Sequence, residues 1–132
     1  MTDTLIPAQT EGRVTLPGSD NAFVVPSGQA VTLQDVIVDQ PSPGAAMYRF
    51  RFLAPAIARG GGTMDFEASI ADMQHLCDSY AVQQIMPPMP VATQVIIAFS
   101  DMALPFGETN PAVTQFFLAF SLKDGLCVLE PF

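Results

Sequence analysis

Basic residues are scarce in this chain of 132 residues, which has 13 aspartates and glutamates against five lysines and arginines, and a formal net charge of −8. Lys123 is the only lysine. Proteins that bind nucleic acid or anionic membranes need clustered lysine and arginine side chains to neutralise phosphates. The composition therefore argues against nucleic acid as a partner and against an anionic membrane surface.

Long apolar runs are also missing. The longest stretches, such as residues 95–99, are far shorter than the roughly 18 residues that a membrane span requires. The first seven residues have neither the basic start nor the apolar core of a secretory signal. We therefore expect no membrane insertion. We expect a periplasmic or secreted location if a leader has been removed, and a cytoplasmic location otherwise.

Catalytic and metal-binding motifs are absent from the sequence, which contains no GxGxxG, P-loop, GxSxG, HExxH or EF-hand pattern. His75 is the only histidine, which excludes zinc sites that need several histidines. Asp72 and Asp78 lie three residues on either side of it, so a helix places all three on one face. That face is either solvated or a weak metal site. We predict no cofactor, and we favour a non-enzymatic protein over a small enzyme that uses His75 with Asp72 or Asp78.

The two cysteines, Cys77 and Cys127, are 50 positions apart and form no CxxC pair. Cys77 falls on the apolar stripe of a predicted helix, and Cys127 falls in a predicted final strand. Both side chains then face the layer between helix and sheet. One disulfide and two buried free thiols are both compatible with this arrangement.

The clearest periodicity is the alternation at residues 47–53, which predicts a strand with Tyr48, Phe50 and Phe52 on one face and Arg49 and Arg51 on the other. Strands are also predicted at 93–100, 114–122 and 126–130, the last two joined by a hairpin at 123–125.

A helical period begins at Ser69, the predicted N-cap, and should end before Pro87. Residues 32–38 fit either a strand or a short helix capped by Thr32, and we favour the helix. The predicted fold is α+β, with an antiparallel sheet of about four to five strands and one main amphipathic helix packed on one face. Residues 1–22 are expected to form a flexible N-terminal arm, in which the Val14-Thr15-Leu16 alternation allows one short edge strand, and residues 23–132 a single α+β domain.

Two surface features are candidates for binding. Arg49 and Arg51 share one face of a strand, where both guanidinium groups can reach a carboxylate or phosphate of a partner. The alternative is that the pair lies along the sheet surface and balances acidic residues of the protein itself. The loop at 101–111 places Phe106 beside the carboxylates of Asp101 and Glu108, and recognition residues concentrate on loops. The alternative is a rigid connector in which Phe106 covers the edge of the sheet. The first hypothesis is a non-enzymatic binding or accessory domain of the cell envelope. Its partner is an unknown protein or small molecule, and its oligomeric state is left open.

Four segments of the sequence resemble a known family: YRFRFLAPAI at 48–57, DMQHLC at 72–77, FGE at 106–108 and TQFF at 114–117. The family consists of small uncharacterised proteins from marine and photosynthetic alphaproteobacteria, and the resemblance covers roughly residues 24–132. Some of its members are labelled acetolactate synthase. That label does not fit this chain, which lacks the length and the thiamine diphosphate motif of the synthase.

The resemblance implies a cysteine near the C-terminus, which matches Cys127, and it implies export. Together these favour a Cys77–Cys127 disulfide. It implies no catalytic residue.

Overall fold

The structure, a computed structural model, describes residues 12–42 and 44–131. They build a six-stranded sheet with one long helix packed against one face. In chain order the strands are β1 (Arg13–Ser19), β2 (Thr32–Ser42), β3 (Ala45–Leu53), β4 (Ala92–Ser100), β5 (Gln115–Lys123) and β6 (Leu126–Leu129). The α+β class and the strands predicted in the last third of the chain are confirmed.

The sheet is mixed, with the strands side by side in chain order. β1, β2 and β3 are antiparallel neighbours, β3 and β4 run parallel, and β4, β5 and β6 are again antiparallel. The prediction of four to five antiparallel strands is therefore wrong in strand number and in orientation. Parallel neighbours need a crossover connection, and the helix-containing segment between β3 and β4 supplies it.

Helix α1 covers residues 66–84, with an α-helical part at Phe66–Leu76, a π-helical turn at Cys77–Ala81 and a last α-helical turn at Val82–Gln84. It ends before Pro87, as predicted. The predicted N-cap Ser69 is wrong, because Asp65 caps the helix and its carboxylate accepts a hydrogen bond from the Ala68 N–H at 2.8 Å.

Helix α1 begins earlier in the chain than predicted, because its apolar stripe begins before Ser69, the predicted cap. Phe66 and Ile70 both pack against the core, which extends the helical spacing by one turn. Ser69 consequently lies within the helix and is fully buried.

Residues 32–38 form part of strand β2 and not the favoured short helix. Val36 and Val38 enter the core under α1, while Ile37 is buried on the opposite face of the sheet. β2 pairs with β1 on one side and with β3 on the other. These β-branched side chains and two long-range ladders favour the strand over the local capping pattern.

The core lies between α1 and the side of the sheet that we call the helix face. Alternation along β3 is confirmed, since Tyr48, Phe50 and Phe52 are all buried on this face. The Tyr80 ring from α1 makes edge-to-face contacts with Phe50 and Phe52, with ring centroids 6.0 and 6.5 Å apart. Phe23 packs edge-on against Tyr80 at 4.8 Å. The opposite side of the sheet is called the open face.

The structure describes only part of the N-terminal arm that was predicted for residues 1–22. Residues 13–19 form the edge strand β1, whose ladder with β2 runs from Arg13–Asp39 to Ser19–Leu33. Residues 1–11 lie outside the described residues. The domain boundary after residue 22 stays a prediction.

Cys77 and Cys127 form a disulfide that joins the π-helical turn of α1 to β6, with their Cα atoms 6.1 Å apart. Both residues are buried in the core. Of the two possibilities that the sequence left open, the structure has the bonded one.

Replacing both cysteines by alanine should lower the free energy of unfolding by about 4 kcal/mol, because the bond closes a long loop and restricts the unfolded chain. Urea denaturation followed by circular dichroism measures this loss. A reductant should destabilise the wild-type protein by a similar amount and leave the double variant unchanged. A wild-type unfolding curve that does not respond to the reductant would contradict the prediction.

Candidate binding face

The open face carries charged side chains where β1, β2 and β3 lie side by side. The strand register pairs Arg13 with Asp39 and Arg51 with Asp35. Arg49 lies between these two ion pairs, opposite Ile37. Two-residue alternation along three neighbouring strands therefore gathers three of the five basic residues of the chain on one surface.

The loop between β4 and β5 folds back over this surface. Its ends are joined at Asp101 and Thr114, because the Asp101 N–H donates to the Thr114 carbonyl at 3.1 Å and the Thr114 N–H donates to the Asp101 carboxylate at 2.8 Å. Further along, the Leu104 carbonyl accepts hydrogen bonds from Gln34 Nε2 and Arg51 Nη1, both at 2.9 Å. These bonds hold the loop across β2 and β3.

A tight turn at the loop tip places Phe106 on the arginines. The Glu108 N–H donates to the Pro105 carbonyl at 3.1 Å, and Gly107 has a φ of 89°. A turn with positive φ at its third residue requires glycine or asparagine there, since a Cβ disfavours this conformation.

The Phe106 ring touches three guanidinium groups. Its centroid lies 5.0 Å from Cζ of Arg13, 5.5 Å from Cζ of Arg49 and 5.3 Å from Cζ of Arg51. Cations within about 6 Å of an aromatic centroid are attracted by the ring quadrupole. We call Arg13, Arg49, Arg51 and Phe106 the arginine cluster.

Two members of the arginine cluster are neutralised within the protein. Arg51 binds Asp35 through two parallel hydrogen bonds of 2.6 and 2.7 Å. Arg13 binds Asp39, with Nε 2.6 Å from the nearer carboxylate oxygen. Arg49 has neither an ion pair nor a hydrogen bond to any residue that the structure describes.

Arg49 is half-buried, and this position affects its charge. Burial lowers the pKa of the Arg49 guanidinium, Asp39 acts in the opposite direction, and the positive charges of Arg51 and Arg13 lower the pKa further. The group stays protonated at neutral pH because an arginine pKa lies far above it. A desolvated cation without a partner is costly, so a carboxylate or phosphate that reached Arg49 would be stabilised there.

The sequence-predicted binding residues divide into two groups. Phe106, Arg49 and Arg51 come together, although they were proposed as two separate features. Asp101 instead joins the ends of its loop, and Glu108 is exposed beyond the turn without contacting the arginines through a hydrogen bond or ion pair. Sequence reasoning missed Arg13, which it assigned to the arm. The Val14-Thr15-Leu16 alternation beside Arg13 is the pattern that indicated a strand there.

The structure does not bring Asp72, His75 and Asp78 together into the alternative metal site. Asp72 is fully buried and points away from solvent, while His75 is exposed. The Asp78 carboxylate accepts hydrogen bonds from Gln74 Nε2 at 3.0 Å and from the Cys127 N–H at 3.1 Å. Within residues 12–42 and 44–131, no three histidine, cysteine, aspartate or glutamate side chains lie close enough to hold a metal ion. The solvated helix face expected for these residues is wrong for Asp72.

Asp72 holds a loop against the helix. Its carboxylate accepts hydrogen bonds from the Ser27 N–H at 2.9 Å, from the Ser27 hydroxyl and from Gln29 Nε2 at 2.7 Å. Ser69 Oγ also accepts a bond from Gln29 Nε2 at 3.4 Å. This network fixes the segment before β2 to α1, and we assign Asp72 a structural role.

Crevices occur elsewhere on the molecule. One of about 460 Å³ lies beside Arg59, Thr63 and Thr114, and crevices of about 400 and 260 Å³ lie on the helix face near Leu16 and Met89. Neither Arg49 nor Phe106 lines any of the three. Arg13 does line the crevice of about 400 Å³, so the arginine cluster is a sheet surface that borders this crevice at Arg13.

The geometry defines the protein as a small α+β domain with a half-covered mixed sheet and an arginine cluster on its open face. The chain belongs to a family of unknown function, DUF6497, whose model matches residues 6–132. No curated protein matches the chain, and no solved structure does. Among the described residues, none of the helices has the length and apolar character needed to cross a membrane.

Asp72→Ala should lower the free energy of unfolding by about 1–3 kcal/mol, because it leaves the buried Gln29 amide without its acceptor and removes the bonds that hold the Ser27 loop to the helix. His75→Ala on the same helix is the matched control, and its effect should stay within about 0.5 kcal/mol because the side chain is exposed. Urea denaturation measures both variants. Equal effects of the two substitutions would contradict the structural role of Asp72.

Proposed function

We propose that this protein is a non-enzymatic binding domain whose arginine cluster binds an acidic group of a partner. The observation that supports the proposal is Arg49, a half-buried guanidinium that forms no ion pair with an acidic side chain among the described residues. No observation in the described residues favours the alternative, a metal-dependent module at His75.

Each member of the arginine cluster has a different part in this proposal. Asp39 and Asp35 already neutralise Arg13 and Arg51, so these two arginines contribute mainly to the shape and rigidity of the surface. Phe106 covers the three guanidinium groups on one side and limits their access to water. A carboxylate therefore binds chiefly at Arg49, where its two oxygens match the planar fork of the guanidinium.

The net charge of the chain limits the range of this attraction. At −8 the whole molecule repels acidic partners at a distance, and salt screens that repulsion beyond about 8 Å at physiological ionic strength. Recognition at Arg49 is then a short-range contact between complementary groups. Loss of one partner of a buried, hydrogen-bonded charge pair acts mainly on the dissociation rate, so we expect Arg49 to affect the lifetime of the complex.

We further propose that the protein works in the cell envelope. Its disulfide is buried and links two distant parts of the chain. Structural disulfides persist in oxidising compartments and are rare in the cytosol, where thiols are kept reduced. The buried bond thus supports export.

Titration with a peptide of three glutamates tests the arginine cluster, with the Arg49 Nε–H and the Phe106 amide followed by NMR. We expect shifts at both positions, and we expect Arg49→Gln to weaken binding about tenfold to a hundredfold through loss of a charged hydrogen bond. Lys123→Gln is the control, since it changes the net charge equally at an exposed hairpin.

Two results would overturn the proposal. One is a set of peptide-induced shifts that avoids Arg49 and Phe106. The other is an equal loss of affinity in Arg49→Gln and Lys123→Gln, which would mean that only the overall charge matters.

A further inference from the structure

The open face continues from the arginine cluster onto β4 and β5, where its character becomes apolar. Ile96 on β4 lies beside Arg49, and Ala119 on β5 lies beside Ile96. Phe117 is two residues from Ala119 on the same face, so it is the diagonal neighbour of Ile96. The Phe117 side chain is 46% exposed.

Strand geometry sets the spacing between the charged and apolar ends of this surface. Arg49 and Phe117 are two strands apart in the sheet and two residues apart along it. With strands about 4.8 Å apart and a rise of about 3.4 Å per residue, their backbones are about 12 Å apart. A ligand that contacts both side chains must span this distance.

We propose that the partner binds as an extended polypeptide segment, with an acidic side chain at Arg49 and an apolar side chain on Phe117. This inference rests on the proposed function, because it uses the same acidic contact at Arg49. It adds the chemical class of the partner and the spacing of its two recognition residues.

Chain geometry favours a polypeptide as the occupant. Alternate side chains of an extended chain point to the same side, and residues i and i+4 are about 13 Å apart. An acidic residue at i and an apolar residue at i+4 therefore match the spacing from Arg49 to Phe117. The residue at i+2 then passes over Ile96, which is partly buried.

Two further observations favour a polypeptide over a small molecule or a membrane as the partner. Arg49, Ile96 and Phe117 line none of the three crevices described above, which makes this part of the face less suited to an enclosed small molecule. An anionic membrane is disfavoured because the chain carries a charge of −8 and because Asp39 and Asp35 already neutralise Arg13 and Arg51 on this face. Arginine and aromatic side chains, phenylalanine included, are also enriched at protein interfaces.

A synthetic peptide provides the test. It carries glutamate, valine and phenylalanine at positions i, i+2 and i+4, separated by serines and blocked at both ends. Isothermal titration calorimetry should show binding. Replacing the glutamate by glutamine, or moving the phenylalanine to i+3, should weaken binding about tenfold each, because one recognition contact is lost.

Variants of the full-length protein complete the test. Phe117→Ser should weaken binding of the intact peptide about five- to tenfold, because an aromatic contact is lost. The same variant should leave binding of the three-glutamate peptide unchanged. Val128→Ser is the matched control, since Val128 is similarly exposed at 43% but lies next to Ser121, away from Arg49.

The outcomes distinguish the inference from the proposed function. If Phe117→Ser and the shifted peptide bind normally while Arg49→Gln still loses affinity, the polypeptide inference is wrong and the acidic site stands. If Arg49→Gln binds both peptides normally, both proposals are wrong. Sedimentation with phosphatidylglycerol vesicles that depends on Phe117 would also overturn the inference, in favour of a membrane partner.

Discussion

Strand β3 alternates aromatic and basic side chains, and both surfaces of the sheet depend on that two-residue period. Tyr48, Phe50 and Phe52 must face α1, because the core is built on their rings. Arg49 and Arg51 are then forced onto the open face. A shift of register by one residue would bury two guanidinium groups and expose three aromatic rings, so the core determines where the cations lie.

The arginine cluster contains residues that stabilise the fold and one arginine, Arg49, that has no ion-pair partner among the described residues. The Arg51–Asp35 pair and the Leu104 carbonyl hold the loop and the strand together with charge-assisted hydrogen bonds. Arg49 makes no such bond with any residue in the described part of the chain, and burial lowers its pKa. A purely structural cation would be expected to bind an aspartate as its two neighbours do. The difference between Arg49 and these neighbours is the reason that we assign recognition to Arg49 and structure to the other two.

Local patterns predicted the parts of the fold that depend on neighbours along the chain. The alternation at 47–53, the helical period around Met73 and the hairpin before β6 required no long-range information. The errors concern tertiary pairing: β2 is a strand because it lies between two others, and β3 with β4 is parallel because a helix crosses between them. The arginine cluster was predicted only in pieces, since the contact between Phe106 and Arg13 depends on a loop that crosses three strands.

The sheet edges help to explain why recognition is assigned to a face. On β6, Cys127 lies opposite Leu122 of β5. Two side chains of the helix bind its peptide groups: Gln74 Nε2 donates to the Cys127 carbonyl, and the Asp78 carboxylate accepts from the Cys127 N–H. On β1, the Gly12 carbonyl accepts a hydrogen bond from the Gln40 N–H and therefore points towards β2. Peptide groups alternate in direction from one residue to the next, so those at Pro17 point away from β2, towards the open edge of the sheet. Proline there cannot donate to an incoming strand. Both features oppose strand addition at these positions, whereas on the open face Arg49 has no ion-pair partner within residues 12–42 and 44–131.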